Sequence, residues 1–113
     1  MEGKTRIVVP TDDGVHIYKG MLGKAERWFI YEMGNGVEIH LVEKRVNPYV
    51  KTMQHLKTLD VYELIRDTTI IVAGYIGRKG VERLEQRGMK IFFRKGSICE
   101  ALIALVESGA LAV

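Results

Sequence analysis

The chain is poor in the residues that cross-link, cage or break a small protein. It has one cysteine among 113 residues, Cys99. A lone thiol forms no internal disulfide and leaves no room for an all-cysteine zinc or cluster site within one chain, which agrees with a reducing compartment. No apolar run approaches the roughly 20 residues needed to cross a bilayer. Met1-Glu-Gly-Lys-Thr-Arg6 leads directly into a strand rather than a signal-type apolar region, so the expected location is cytoplasmic and no membrane partner is expected. Excess charge is lacking too. Seventeen lysines and arginines face fourteen acids for a net +3. The bases are interleaved with glutamate in every segment, which describes a solvated surface better than a nucleic-acid footprint. Asparagine and glutamine are scarce beside Lys, Arg and Glu, a composition often seen in proteins from hot environments. The three histidines, His16, His40 and His55, share no metal-ligand spacing.

What is present suits one domain over residues 1–113, large enough for a single core. Apolar content of 47% and charged content of 27% are ordinary for a soluble globular chain. The organising unit runs from Thr69 to Phe93. Ile70 to Ala73 is an apolar run of strand length; Val81 and Leu84 then share a helical face, and Gly88 supplies a left-handed stop before the strand Met89 to Phe93. A crossover this compact joins parallel strands and requires layers on both sheet faces.

The other segments supply them. Arg6 to Pro10 reads as a buried first strand closed by a proline that cannot continue a central ladder, and Thr11-Asp-Asp-Gly14 is turn chemistry. Gly14, Gly20 and Gly23 mark a loop of special backbone geometry. Trp28 to Met33 and Val37 to Lys44 are extended runs joined at Gly34-Asn35-Gly36, a hairpin signal. In the second run Val37, Ile39 and Leu41 alternate with Glu38 and His40. Met53 to Arg66 has helical spacing. Ser97-Ile-Cys-Glu100 is a capping-box pattern opening a last helix with Ile98, Ala101, Leu102, Leu105 and Val106 as its buried stripe, ended by Gly109. The sum is an α/β fold, a mixed five-stranded sheet with one antiparallel strand, flanked by three helices.

The order of these elements and several local signatures resemble the dinitrogenase iron–molybdenum cofactor biosynthesis and accessory family, whose members adopt a ribonuclease-H-like fold. The matching residues are Ile7-Val-Val-Pro-Thr-Asp12, Gly23-Lys-Ala25, Asn47, Val72-Ala-Gly74 with Ile76-Gly77, Leu84 to Lys90, and Glu100-Ala-Leu102 through Gly109-Ala-Leu111. They span nearly the whole chain. The resemblance implies a cofactor carrier. In family members with a proposed cofactor role a His-Phe-Gly-Arg-Ala-like sequence occupies the first glycine loop; here it reads Met21-Leu22-Gly23-Lys24-Ala25, so the ligand-capable histidine is absent.

The turn Gly74 to Gly80 leading into a helix gathers backbone N–H groups and the positive end of a helix dipole beside Arg78 and Lys79, chemistry that holds an anion. Its Gly-x-x-Gly-x-x-Gly spacing is neither the dinucleotide fingerprint nor a P-loop, and a plain tight turn explains it as well. The loop Lys19 to Lys24 is expected to meet this turn at the carboxyl ends of neighbouring parallel strands. The candidate cofactor-binding residues are therefore Met21, Gly23, Lys24, Gly74, Gly77 and Arg78, with Met21 offering a soft thioether against a gap-filling role. His55 and Cys99 are the candidate metal ligands. The favoured reading of each histidine is an ordinary surface residue, and that of Cys99 a small packing residue, although the first helical turn lowers a thiol pKa.

Catalysis finds little support. A metal-dependent nuclease would need carboxylates converging from the first strand, and Arg6 to Pro10 offers none; Asp12, Asp13, Asp60 and Asp67 are assigned to turn and helix surface. Two readings follow. One is a non-enzymatic binding or carrier domain holding an iron–sulfur or iron–molybdenum type cluster between the glycine loops. The alternative is a regulatory or interaction module binding a protein partner, or less expectedly nucleic acid, through its basic surface.

Overall fold

The structure, a computed structural model, describes residues 5–34, 38–48 and 58–111. Its elements are β1 (Thr5–Thr11), a 3₁₀ turn (Leu22–Lys24), β2 (Arg27–Met33), β3 (Ile39–Val46), α1 (Thr58–Ile65), β4 (Ile70–Ala73), α2 (Arg78–Gln86), β5 (Lys90–Phe93) and α3 (Ile98–Glu107). The sheet order is β3-β2-β1-β4-β5. β1, β4 and β5 run parallel, and β2 is antiparallel to both β1 and β3, the one reversed strand expected. No helix among the described residues is long and apolar enough to cross a membrane.

The helices divide between the two faces as the strand alternation dictates. Val8, Trp28, Ile30, Ile71 and Ala73 project toward Val61 and Ile65 of α1 and Leu84 of α2. Ile7, Val9, Met33, Ile70 and Val72 project the other way, onto Ile98, Ala101, Leu102 and Leu105 of α3. Gly88 (φ 87°) and Gly109 (φ 77°) adopt the left-handed conformation that ends α2 and α3. The Ser97 hydroxyl accepts from the Glu100 N–H at 3.2 Å, the serine half of the capping box.

Several boundaries differ from the sequence reading, each for a physical reason. β1 continues through Pro10 to Thr11 although it is central. Its ladder with β4 covers only Ile7 and Val8. The Pro10 carbonyl accepts from the Tyr18 N–H at 2.9 Å, on the side where that ladder has ended, so the missing proline N–H is not needed there. The clean alternation expected in β3 is broken by a bulge. Ile30 pairs with Glu43 and Tyr31 with Leu41, leaving Val42 extra. Of the three loop glycines only Gly14 has positive φ, at 80°, and Gly23 lies inside the 3₁₀ turn. α1 is described from Thr58; Met53 to Lys57, with the candidate ligand His55, lie outside the described residues, as do Asn35, Gly36 and Val37 of the hairpin.

Asp67 lies exposed just past the end of α1, as expected, but it is ion-paired as well. It pairs with Arg6 at 2.9 Å and with Arg45, which also binds Glu43 and the Leu64 carbonyl. This network ties β1 and β3 to the end of α1. The Arg45 guanidinium holds the Asp67 carboxyl down at about 2 and also depresses Glu43.

Candidate functional site

The two glycine segments meet. A Cβ on Gly74 would lie 2.5 Å from the Tyr18 carbonyl oxygen, so only glycine lets the Tyr18–Lys19 backbone pass this close to the end of β4. From there Met21 bridges to Tyr75 in parallel fashion, and the Leu22 N–H donates to the Tyr75 carbonyl at 3.2 Å. The 3₁₀ turn is closed by Lys24 N–H on the Met21 carbonyl at 2.9 Å.

Two side chains outside the expected set clamp this turn from beneath. Buried Trp28 donates from Nε1 to the Leu22 carbonyl at 3.0 Å. Asn47, 1% exposed, donates from Nδ2 to the carbonyls of Gly23 and Ala25, both at 2.8 Å. Buried carbonyls are costly to leave unpaired, so these bonds fix the turn with Leu22 and Ala25 inward and Met21 and Lys24 outward. Their partners lie 6 to 24 positions away, so no local pattern reveals them.

Across from the turn, α2 begins at Arg78 after Gly77, whose backbone is extended (φ −62°, ψ 156°) and which has no side chain to cap the helix. The first-turn N–H groups of a helix have no intrahelical acceptors and carry the positive end of the dipole. The first turn holds Arg78 and Lys79 and no acid. Together the two segments line an open cavity of about 490 Å³, with Met21, Gly23 and Lys24 on one side and Gly77, Arg78 and Lys79 on the other. Leu22, Val61, Ile76 and Leu84 supply apolar lining. Among the described residues no carboxylate lines it, and Lys24, Arg78 and Lys79 form no ion pair.

The structure thus brings five of the eight candidate residues into one cavity. Gly74 stands behind it, where its role is the close backbone approach. Cys99 lies in the first turn of α3, across the sheet, and is exposed rather than a packing residue. His16 pairs through Nδ1 with Asp13 at 2.7 Å. The Asp13 carboxylate also accepts from the Val15 and His16 N–H groups, which hold it far below the usual carboxylate range, so the pair shapes a turn. His40 is exposed near Glu38. Among the described residues no three His, Cys, Asp or Glu side chains gather as a metal-ligand set.

A sequence profile of the family described as dinitrogenase iron-molybdenum cofactor matches residues 3–108. The chain belongs to that family. Solved structures agree in fold. The protein PH0822 is 18% identical with a TM-score of 0.75, covering 92% of each chain. The apo form of the orange protein from Desulfovibrio gigas is 15% identical with a TM-score of 0.73, over 96% of this chain and 92% of its own. A NifB-like protein from Thermotoga, of the DUF35 family, is 22% identical with a TM-score of 0.59, over 93% and 89%. No curated protein matches the chain. At these identities the solved structures speak for the fold, and family membership rests on the profile.

Proposed function

We propose that the chain is a small binding or carrier domain, without catalysis of its own, that holds an anionic metal–sulfur cofactor in the cavity between the 3₁₀ turn and the start of α2. The observation that carries this reading is the convergence of Lys24, Arg78, Lys79 and an uncapped helix N-terminus on one cavity with no carboxylate among its lining residues. Folding gains nothing from that arrangement. A cation in the first turn opposes the helix dipole by about 0.3–1 kcal/mol, and glycine at the cap forgoes the bond a serine would make. Local costs that the fold does not need mark functional positions.

The residues present fit a cluster that brings its own sulfide, and do not fit a bare metal ion, which needs a ligand set. The N–H groups of the first α2 turn can donate to sulfide or oxo edges, Lys24 and Arg78 offset the negative charge, and Met21 offers one soft donor at the rim. Leu22, Val61, Ile76 and Leu84 exclude water beneath, which strengthens each of these interactions. The family description names the iron–molybdenum cofactor, which favours a metal-containing cargo. With methionine where the resemblance places histidine, the hold on the cargo is electrostatic and exchangeable, as delivery requires. The setting is a reducing cytoplasm, where cluster donors and acceptors would be the protein partners.

The test is anaerobic isolation with metal and sulfide analysis, followed by transfer of an iron–sulfur or iron–molybdenum cluster to the apo protein, read by absorbance. Stoichiometric uptake, weakened by Lys24→Ala and by Arg78→Ala, is expected. No uptake, or uptake indifferent to both substitutions, would overturn the reading.

A further inference from the structure

The opposite face of the sheet carries a second, unrelated concavity. Five strands about 4.8 Å apart span roughly 19 Å, and one helix covers about 10 Å of that width. α1 and α2 share one face, whereas among the described residues α3 is the one helix on the other, over β1, β4 and Met33 of β2. Among the described residues no helix covers the β3 edge and the middle of β2 on that face, where Tyr31 and Ile39 are only half-buried. A groove of about 820 Å³ results between α3 and the sheet, with Tyr31 and Ile39 as its floor and Val15, Ile98, Leu102, Ile103 and Val106 along its sides. Leu41 stands opposite Tyr31 in the ladder, so it extends the same floor.

The groove's apolar character exceeds what the fold uses. Ile98, Ala101, Leu102 and Leu105 are the stripe α3 buries on the sheet. Cys99, Ile103 and Val106 form a second stripe at i, i+4 and i+7, and Ile103 is 51% exposed. Val15 at 57% and Leu41 at 42% exposed continue it. Apolar along its length and open to solvent on one side, the groove matches the ridge of a polypeptide.

Charge says which polypeptide. Glu107 is the one charged side chain among the lining residues, in a chain of net charge +3. It sits at the C-terminus of α3, where the helix dipole is negative and the last turn holds no base. α3 as a whole carries Glu100 and Glu107 and no lysine or arginine. Lys44, on the same sheet face, lies over the Phe29 ring, 5.4 Å from its centre. Two copies packed through α3 would set these acids against each other.

We infer that the groove between α3 and the β2–β3 face docks an amphipathic helix of a partner protein, apolar along one stripe and bearing lysine or arginine where it passes Glu107. The surface is separate from the cluster cavity, so docking and cargo can coexist.

The probe is a synthetic helix of about four turns with leucines at helical spacing and lysines on its flanks, compared with the same peptide carrying glutamates. Amide shifts of the isotope-labelled protein report the site. The lysine peptide should move α3, Tyr31 and Leu41 amides and leave α2 unmoved, and the glutamate peptide should move the same amides only at concentrations about tenfold or more higher. Ile103→Glu should abolish the effect, and Glu107→Gln should weaken binding about fivefold, the scale of an exposed ion pair. Binding of both peptides alike, binding elsewhere, or binding of neither overturns the inference. So does concentration-dependent movement of the same amides without peptide, which would assign the groove to a second copy.

Discussion

Replacing Gly74 with alanine should loosen the candidate site without touching any group that lines it. The added Cβ would lie 2.5 Å from the Tyr18 carbonyl oxygen and 3.3 Å from the Lys19 Cα. A relaxed carbon–oxygen approach is about 3.3 Å, so the two backbones must separate by about 0.8 Å. Both sides are main chain, so no rotamer change relieves the contact. The first bond to suffer is Leu22 N–H to the Tyr75 carbonyl, already 3.2 Å long, which joins the 3₁₀ turn to the strand leading into α2. Overpacking of this kind costs about 1–3 kcal/mol. At about 4 °C per kcal/mol for a domain of this size, Tm should fall by about 4–12 °C. Gly77→Ala is the control, since a Cβ there meets nothing within 4 Å and φ is −62°. It should stay within about 1 kcal/mol of the parent. Thermal and urea unfolding of both variants decide the matter: a Gly74→Ala protein as stable as the parent would refute the close-approach argument.

Asn47→Ala removes both bonds that hold the Gly23 and Ala25 carbonyls, and should cost about 2–4 kcal/mol in urea unfolding, with faster amide exchange at residues 22–25. Trp28→Phe keeps an aromatic ring but strands the Leu22 carbonyl and leaves a cavity where the indole was, for a loss of at least about 1–3 kcal/mol in the same assay. Asp67 gives a pH dependence. Its folded pKa, about 2, lies below the ordinary 3.8, so its contribution is complete above pH 4 and disappears as pH falls toward 2. With the Asp67 side chain 44% exposed, screening holds that contribution to about 1 kcal/mol or less, and Asp67→Asn should flatten the stability profile between pH 4 and 2 by that amount.

The elements with strong local grammar could be read directly. The crossover from Thr69 to Phe93 announces itself by an apolar run, a helical face and a stop glycine, and α3 by its serine cap and stripe. The meeting of the glycine segments also follows, because both leave the carboxyl ends of neighbouring parallel strands. What stayed hidden depends on distant partners. Pro10 looks like a strand terminator until Tyr18 is seen on its open side, and the bulge at Val42 exists only in relation to Ile30 and Tyr31. Asn47 is singled out by the resemblance, but its role shows only when it is placed under the turn some two dozen residues earlier. Arg45 and Asp67 look like surface charges because their pairing crosses from β3 to the end of α1. Of the stripe expected in α3, Ile98, Ala101, Leu102 and Leu105 are buried, whereas Val106 is half-buried and Cys99, expected to pack, is exposed beside the groove, which depends on how many helices share each face.

The central claim, that the cargo sits between the 3₁₀ turn and the start of α2, is tested most directly by locating a cluster on the protein. Amide spectra of the labelled protein, recorded anaerobically while a metal–sulfur cluster is added, report which residues it approaches. Broadening or shifts centred on Gly23, Lys24, Gly77 and Gly80, with the Cys99 turn of α3 unaffected, is the predicted result. Effects centred on Cys99, or none on the cavity residues at saturating cluster, would contradict the account.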